Sequence, residues 1–164
     1  MEQVHTVGIL PTDSLDLALL GEAARSEGYR FVDRAHVNWL SGEDRFDSPG
    51  EGLFLARRRT AVVGMCGLNI DPYLDDPGTG RLRRLYVASE YRRMGVGRRL
   101  VGSCLDLAQE RFDRVRLRTF GAPASHFYEA LGFRPIDEPN ATHSIGIAEW
   151  GRRYVHKETP PDLV

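Results

Sequence analysis

The stretch with the most chemical potential runs from Leu85 to Leu100, Leu-Tyr-Val-Ala-Ser-Glu-Tyr-Arg-Arg-Met-Gly-Val-Gly-Arg-Arg-Leu. An apolar strand pattern stops, a turn with two glycines follows, and a helical pattern begins. The first amides of a helix have no internal acceptor, and aligned peptide dipoles place about half a positive charge at that end. A diphosphate can take several main-chain hydrogen bonds there. Gly95 and Gly97 let the backbone approach phosphate oxygens, while Arg92, Arg93, Arg98 and Arg99 add counter-charge.

Other readings of these glycines are weaker. A Walker loop requires a lysine after its second glycine, and the only lysine of the chain is Lys157. A dinucleotide fingerprint requires a third glycine at position 100, which is Leu100. An isolated Gly-x-Gly is more often a plain helix-initiating turn, so the surrounding elements carry the weight.

The helix that must follow is legible from about Gly97 to Arg111, where Leu100, Val101, Cys104, Leu105, Ala108 and Phe112 recur at spacings of three and four. Val4–Leu10 reads as a strand stopped by Pro11. A helix capped by Asp13 or Ser14 then runs to about Glu27, with Leu15, Ala18, Leu19 and Ala23 as its apolar stripe. A second helix is expected over Val32–Leu40. Strands over 52–57 and 61–70 form a hairpin turned at Arg58–Thr60, and a third covers Leu82–Val87. Later come a strand over Val115–Thr119, a short helix over Pro123–Leu131 closed by Gly132, and a strand over Ser144–Trp150. This order predicts an α/β fold in which helices flank a mixed, centrally antiparallel sheet.

With this order in place, the sequence resembles the GNAT superfamily of acetyl-CoA-dependent N-acyltransferases. The family signature Gln/Arg-x-x-Gly-x-Gly/Ala after a strand is met by Arg92-Arg93-Met94-Gly95-Val96-Gly97. About thirty residues on, Phe127-Tyr128-Glu129-Ala130-Leu131-Gly132-Phe133 matches a second family segment. The resemblance implies a GNAT-type single domain over residues 1–150, with 151–164 as its C-terminal extension. It implies that Leu85, Tyr86 and Val87 offer main-chain groups to the pantetheine arm of coenzyme A, and that residues 92–98, Val96 and Arg98 included, wrap its pyrophosphate. Tyr128 matches the position that protonates the departing thiolate. A phenol is suited to that role, because a pKa near 10 keeps it protonated at pH 7 yet lets it share a proton with a thiolate of pKa about 8.5. On its short helix, Phe127 and Leu131 are expected to face the core and Tyr128 the opposite side.

Two departures stand out. Many relatives carry an asparagine seven residues before the tyrosine, where this chain has Gly121, and some carry a glutamate base where it has Arg81. His143, Asp71, Tyr73 and Glu90 are the candidates for a proton relay. Tyr29, Arg30, Trp39, Asp71 and Tyr73 fall in segments that border the acceptor in relatives. The expected reaction is direct transfer of a short acyl group to a primary amine of a small molecule or a protein, without an acyl-enzyme or a metal. A non-catalytic acyl-CoA sensor or interaction module is the alternative.

Composition bounds these readings. The chain has 164 residues, 41% hydrophobic and 27% charged, with a formal net charge of -1. At this length a fold buries roughly 70% of its unfolded surface and requires no staple. Cys66 and Cys104 lie far apart outside any metal-ligand spacing, which favours a reducing, cytoplasmic setting. The start lacks a signal-peptide pattern, and no run approaches the roughly 20 apolar residues of a membrane span. Residues 1–56 hold ten acids against four arginines, whereas 57–164 hold thirteen acids against eighteen bases, so an anionic ligand should favour the second part. Near-neutral overall charge argues against a nucleic-acid partner despite the seven arginines between Arg81 and Arg99. A monomer or homodimer is expected, the apolar residues of Val155 and the Pro160–Val164 tail either serving a dimer seam or trailing in solvent.

Overall fold

The computed structural model describes residues 3–155; the tail over 160–164 lies outside them. Seven strands form one sheet in the order β1-β2-β3-β4-β5-β7-β6. They are β1 His5–Ile9, β2 Gly52–Arg58, β3 Ala61–Ile70, β4 Thr79–Val87, β5 Arg114–Leu117, β6 Arg134–Glu138 and β7 Ala141–Gly146. Every neighbouring pair is antiparallel except β4 and β5. The helices are α1 Ala18–Ser26, α2 Phe31–Ser41, α3 Val96–Ala108, α4 Ala122–Leu131 and α5 Ile147–Val155. The expected α/β architecture is therefore present.

Two apolar cores share the sheet. On one face α1 and α2 bring Leu17, Leu20, Ala24, Val32 and Trp39 onto Leu53, Leu55, Met65 and Tyr86. On the other, α3 lays Leu100, Val101, Cys104 and Leu105 over Val63, Cys66, Leu68, Leu82 and Val115. Phe127, Tyr128, Leu131 and Phe133 join this second core at the far side of the sheet.

Several boundaries differ from expectation for local reasons. The Asp13 carboxylate accepts the Leu10 amide at 2.7 Å and so closes a turn rather than capping a helix. With α1 starting at Ala18, its buried face is Leu20, Gly21 and Ala24, and Leu19 is 74% exposed. The expected strand over Ser144–Trp150 is two elements. Its pairing ends at Gly146, and the chain coils into α5, where the Trp150 indole donates to Asp106 of α3 at 2.9 Å. β6 was not expected, because its sequence RPIDE contains proline and a single half-buried isoleucine. It sits at the sheet edge, where a missing amide is tolerated.

Two irregularities in β4 position the site. Met65 pairs with Tyr86 and Gly67 with Arg83, so Arg84 and Leu85 together oppose the single residue Cys66. In this bulge Arg84 takes φ 60°, a left-handed conformation rare for a non-glycine residue. Beyond the bulge β4 leaves β5. Their pairing stops after Thr79, Gly80 and Arg81 against Arg114, Val115 and Arg116, so the sheet parts between its central strands.

Candidate active site

β4 runs into a short 3-10 turn, Ser89–Tyr91, and then into the bend before α3. Arg93 and Gly95 take φ 62° and 77°, left-handed conformations that turn the chain tightly into α3. The first α-helical hydrogen bond is from the Arg99 amide to the Gly95 carbonyl, at 3.1 Å. Among the described residues, the amides of Arg93, Met94, Gly95, Val96, Gly97 and Arg98 have no acceptor. A Cβ at Gly95 would meet nothing within 4 Å, so glycine is favoured there by its left-handed backbone angle and not by crowding. At Gly97 a Cβ would approach the Phe127 ring at 3.3 Å, so this glycine permits α3 to lie close to α4.

The arginines divide into two kinds. Arg92 is engaged. Its guanidinium grips the Glu27 carboxylate at 2.8 and 2.5 Å, donates through Nε to the Val87 carbonyl at 2.9 Å, and lies over the Tyr86 ring. Glu27 also accepts the Tyr86 hydroxyl at 2.5 Å, and the Arg92 and Tyr86 hydrogen bonds hold its carboxyl below the usual range. This clamp ties the end of α1 to the bend. Sequence reasoning missed it, since its members stand 59 and 65 residues apart. Arg93 and Arg98 are exposed at the bend and lack a hydrogen bond or ion pair with any described residue. The Val87 carbonyl is taken by Arg92, while β4 beyond Arg81, Leu85 included, has no strand partner on its β5 side.

Tyr128 is not on an outward face. It is half-buried, with ring centroids 5.1 Å from Phe127 and 5.6 Å from Phe133 in edge-on contacts. Burial first, and then the neighbouring Cys66 and Cys104, push its phenol well above the ordinary range, so it carries its proton at any working pH. The reason is the tight close of α4: Gly132 takes φ 109° and the Phe133 amide returns to the Tyr128 carbonyl, folding Phe133 under the ring.

The relay candidates separate clearly. Arg81 is 7% exposed, donates to the Asn140 carbonyl at 2.7 Å and lies 3.5 Å from Asp71. Asp71 is sealed, held also by the fully buried Arg116 at 2.8 Å, so its carboxylate has no path to an acceptor. Tyr73 lies against Arg81, Trp39 belongs to the α2 core, and Glu90 faces outward. His143 is buried between the Thr142 hydroxyl at 2.9 Å and the Glu129 carboxylate at 3.3 Å, so it fastens α4 to β7. No cluster of three or more metal-ligating side chains occurs among the described residues. No helix among them is long and apolar enough to cross a membrane.

The sheet thus parts beside a bulged strand, with an open run of amides at the next helix. The model of the acetyltransferase (GNAT) family matches residues 19–133, and the chain belongs to that family. It is an acetyl-CoA-dependent acyltransferase. A structure from Exiguobacterium sp. 255-15 assigned to the acetyltransferases is similar at 25% identity over 92% of this chain and 98% of its own, with a TM-score of 0.79. A GNAT-family acetyltransferase of Staphylococcus aureus Mu50 shares 18% identity over 88% and 99%, with a TM-score of 0.67. A mutant of the toxin AtaT, bound to the C-terminus of the antitoxin AtaR and acetyl-CoA, shares 16% over 92% and 98%, at 0.65. These last two are likenesses of fold.

Proposed function

We propose that the protein transfers the acetyl group of acetyl-CoA directly to a primary amine, with the bend from Arg92 to Arg98 holding the pyrophosphate and Tyr128 acting as the acid. The observation that carries this reading is the run of six unpartnered amides from Arg93 to Arg98. Acetyl-CoA supplies an activated acyl carbon: the amine nitrogen bonds to it, the carbon–sulfur bond breaks, and one proton passes from nitrogen while one is gained by sulfur. The amides and the two unengaged arginines, Arg93 and Arg98, bind and orient. Arg92 acts by holding the bend in shape. The backbone of Leu85 and the Val87 amide supply the polar edge for the carrier's arm.

Tyr128 completes the transfer at sulfur. Burial makes it a weaker acid than a free phenol, but a thiolate expelled into the same apolar surroundings is equally starved of water and correspondingly more basic. Neither cysteine competes as a nucleophile, because burial raises the Cys104 thiol, whose sulfur donates to the Cys66 carbonyl at 3.7 Å. With Arg81 and Asp71 locked together, the acceptor must enter neutral or lose its proton to water. For an amine of pKa about 10.4 at pH 7, that corresponds to roughly 4.6 kcal/mol.

Thiol release is the test. With a panel of amines and acetyl-CoA, Tyr128→Phe should lower kcat by about 10²-fold or more, the range of general acid catalysis, with the Kd for acetyl-CoA little changed. Full kcat in that variant across pH 6–9 would remove Tyr128 from the mechanism.

A further inference from the structure

On the α1/α2 face, a cavity of about 370 Å³ opens between the loop after α2 and the bulge of β4. Asp44, Asp47 and Glu51 stand on its loop side, Arg83 and Arg84 on its strand side, and Asn69 of β3 lines it between them. Acids alone at a surface would be unremarkable; here two unsatisfied groups of opposite kind accompany them.

Asn69 is 5% exposed, and its Nδ2 donates to Asp44 at 3.3 Å and Glu51 at 3.1 Å. Those bonds fix the amide orientation, and its Oδ1 is left buried without a donor. A buried carbonyl oxygen in that state gains from any donor that reaches it, and the N–H of a ligand in the cavity is one such donor. On the other side, the Arg84 Nη1 donates to the Phe31 carbonyl at 3.2 Å, while its buried Nε has no partner. Arg83, half-buried beside it, makes no hydrogen bond or ion pair with any described residue. Burial and the adjacent Arg83 both work against the charge of Arg84, so an anion placed on the pair would relieve two unfavourable effects together.

We propose that this cavity is the acceptor site and that it takes an amino acid with a second, side-chain amine. The carboxylate lies on Arg83 and Arg84, the α-ammonium between Asn69 Oδ1 and the loop carboxylates, and the side-chain amine is the nitrogen acylated. The assignment rests on the acetyl-transfer reading above. A plain diamine leaves both guanidiniums unanswered, and a monoamino acid has no amine left for reaction once its ammonium is bound. Arg84 faces α2 and the next residue, Leu85, packs with the α3 core, so the strand that lines the cavity is the one that parts from β5 beyond Arg81, and the side-chain arm of the substrate carries the reacting amine from the one to the other.

The experiment compares KM values by thiol release for L-ornithine, L-lysine, 1,4-diaminobutane, which lacks the carboxylate, and 5-aminopentanoate, which lacks the α-ammonium. The better of the two diamino acids should have a KM at least tenfold below both truncated compounds. Arg83→Met should sharply reduce its advantage over 1,4-diaminobutane, and Asp47→Asn should narrow its advantage over 5-aminopentanoate; Arg83 is half-buried and Asp47 exposed, and a thermal melt of each variant checks that it folds. Equal KM values across the four, or a truncated compound as the best, overturn the proposal. So does failure of all four in a protein that binds acetyl-CoA and acylates some other amine. Failure to bind acetyl-CoA, read by calorimetry without any amine, instead strikes the acetyl-transfer reading and this one with it.

Discussion

Tyr86 and Tyr128 are both driven above the ordinary phenol range by loss of water, yet only Tyr86 has its hydroxyl held by a carboxylate. For Tyr86 burial is the larger cause and the bond to Glu27 the next, together pushing its pKa up to about 12. An unfolded tyrosine titrates near 10. Between those values the folded protein retains a proton that the unfolded chain gives up, so stability present below pH 10 is lost as pH rises towards about 12. Tyr128 acts in the same sense at higher pH. Urea midpoints measured from pH 9 to pH 12 should therefore fall across the upper part of that range. In Tyr86→Phe the decline between pH 10 and 12 should be shallower, though the variant starts less stable because Glu27 loses a donor. An unchanged slope would assign the alkaline transition to other groups.

At the scale of elements, α4 depends on a short polar chain beneath it. The Thr119 amide donates to the Thr142 hydroxyl at 3.0 Å, that oxygen meets His143 Nδ1, and His143 Nε2 reaches Glu129 on α4. His143→Leu removes this partner from Glu129, which is exposed, and from Thr142, which is half-buried, so water can answer both and the cost is about 1 kcal/mol, that of an ordinary hydrogen bond. Hydrogen exchange should then show lower protection in α4 than in α3, whose anchorage is the apolar face of Leu100 to Leu105. Equal protection in the two helices would mean that Leu131 and Phe133 alone hold α4. This fastening illustrates what local sequence could and could not convey. α3 was legible because its apolar spacing agrees with its burial, and the bend was legible because glycines and arginines adjoin along the chain. The α5 start was hidden because Ile145 and Ile147 alternate as strand residues do, while a tryptophan bond to a helix 44 residues earlier decides the outcome. The Glu27 clamp, the orphaned Asn69 oxygen and the buried Asp71 carboxylate were hidden for the same reason: each depends on partners brought together only by the sheet.

For the molecule as a whole, the parting of β4 from β5 is a structural liability that a ligand should repair. Two cores press on opposite faces of the sheet, yet between its central strands only three residue pairs are joined, from Thr79–Arg114 to Arg81–Arg116. A carrier lying along β4 and held at the α3 bend would connect β4, α3 and α4, elements now related mainly through side-chain packing. At a hundredfold excess over its Kd, acetyl-CoA should raise stability by about 2.7 kcal/mol. In a chain of this size that corresponds to roughly 5–10 °C in Tm. The affinity behind the shift should weaken with added salt, because Arg93 and Arg98 are exposed and a Debye length of about 10 Å at 0.1 M screens them. It should persist in part at high salt, since backbone amides are less sensitive to screening. Glu27→Ala provides the complementary case: Arg92 is released to face solvent, adding an unpaired cation near the phosphates while removing the tie that shapes the bend. If preorganised amides dominate, the variant binds acetyl-CoA more weakly despite the more positive site; if charge dominates, it binds more tightly and with a steeper salt dependence. Six amides without acceptors against two exposed arginines favour the first outcome, and calorimetry at 50 and 500 mM salt distinguishes them.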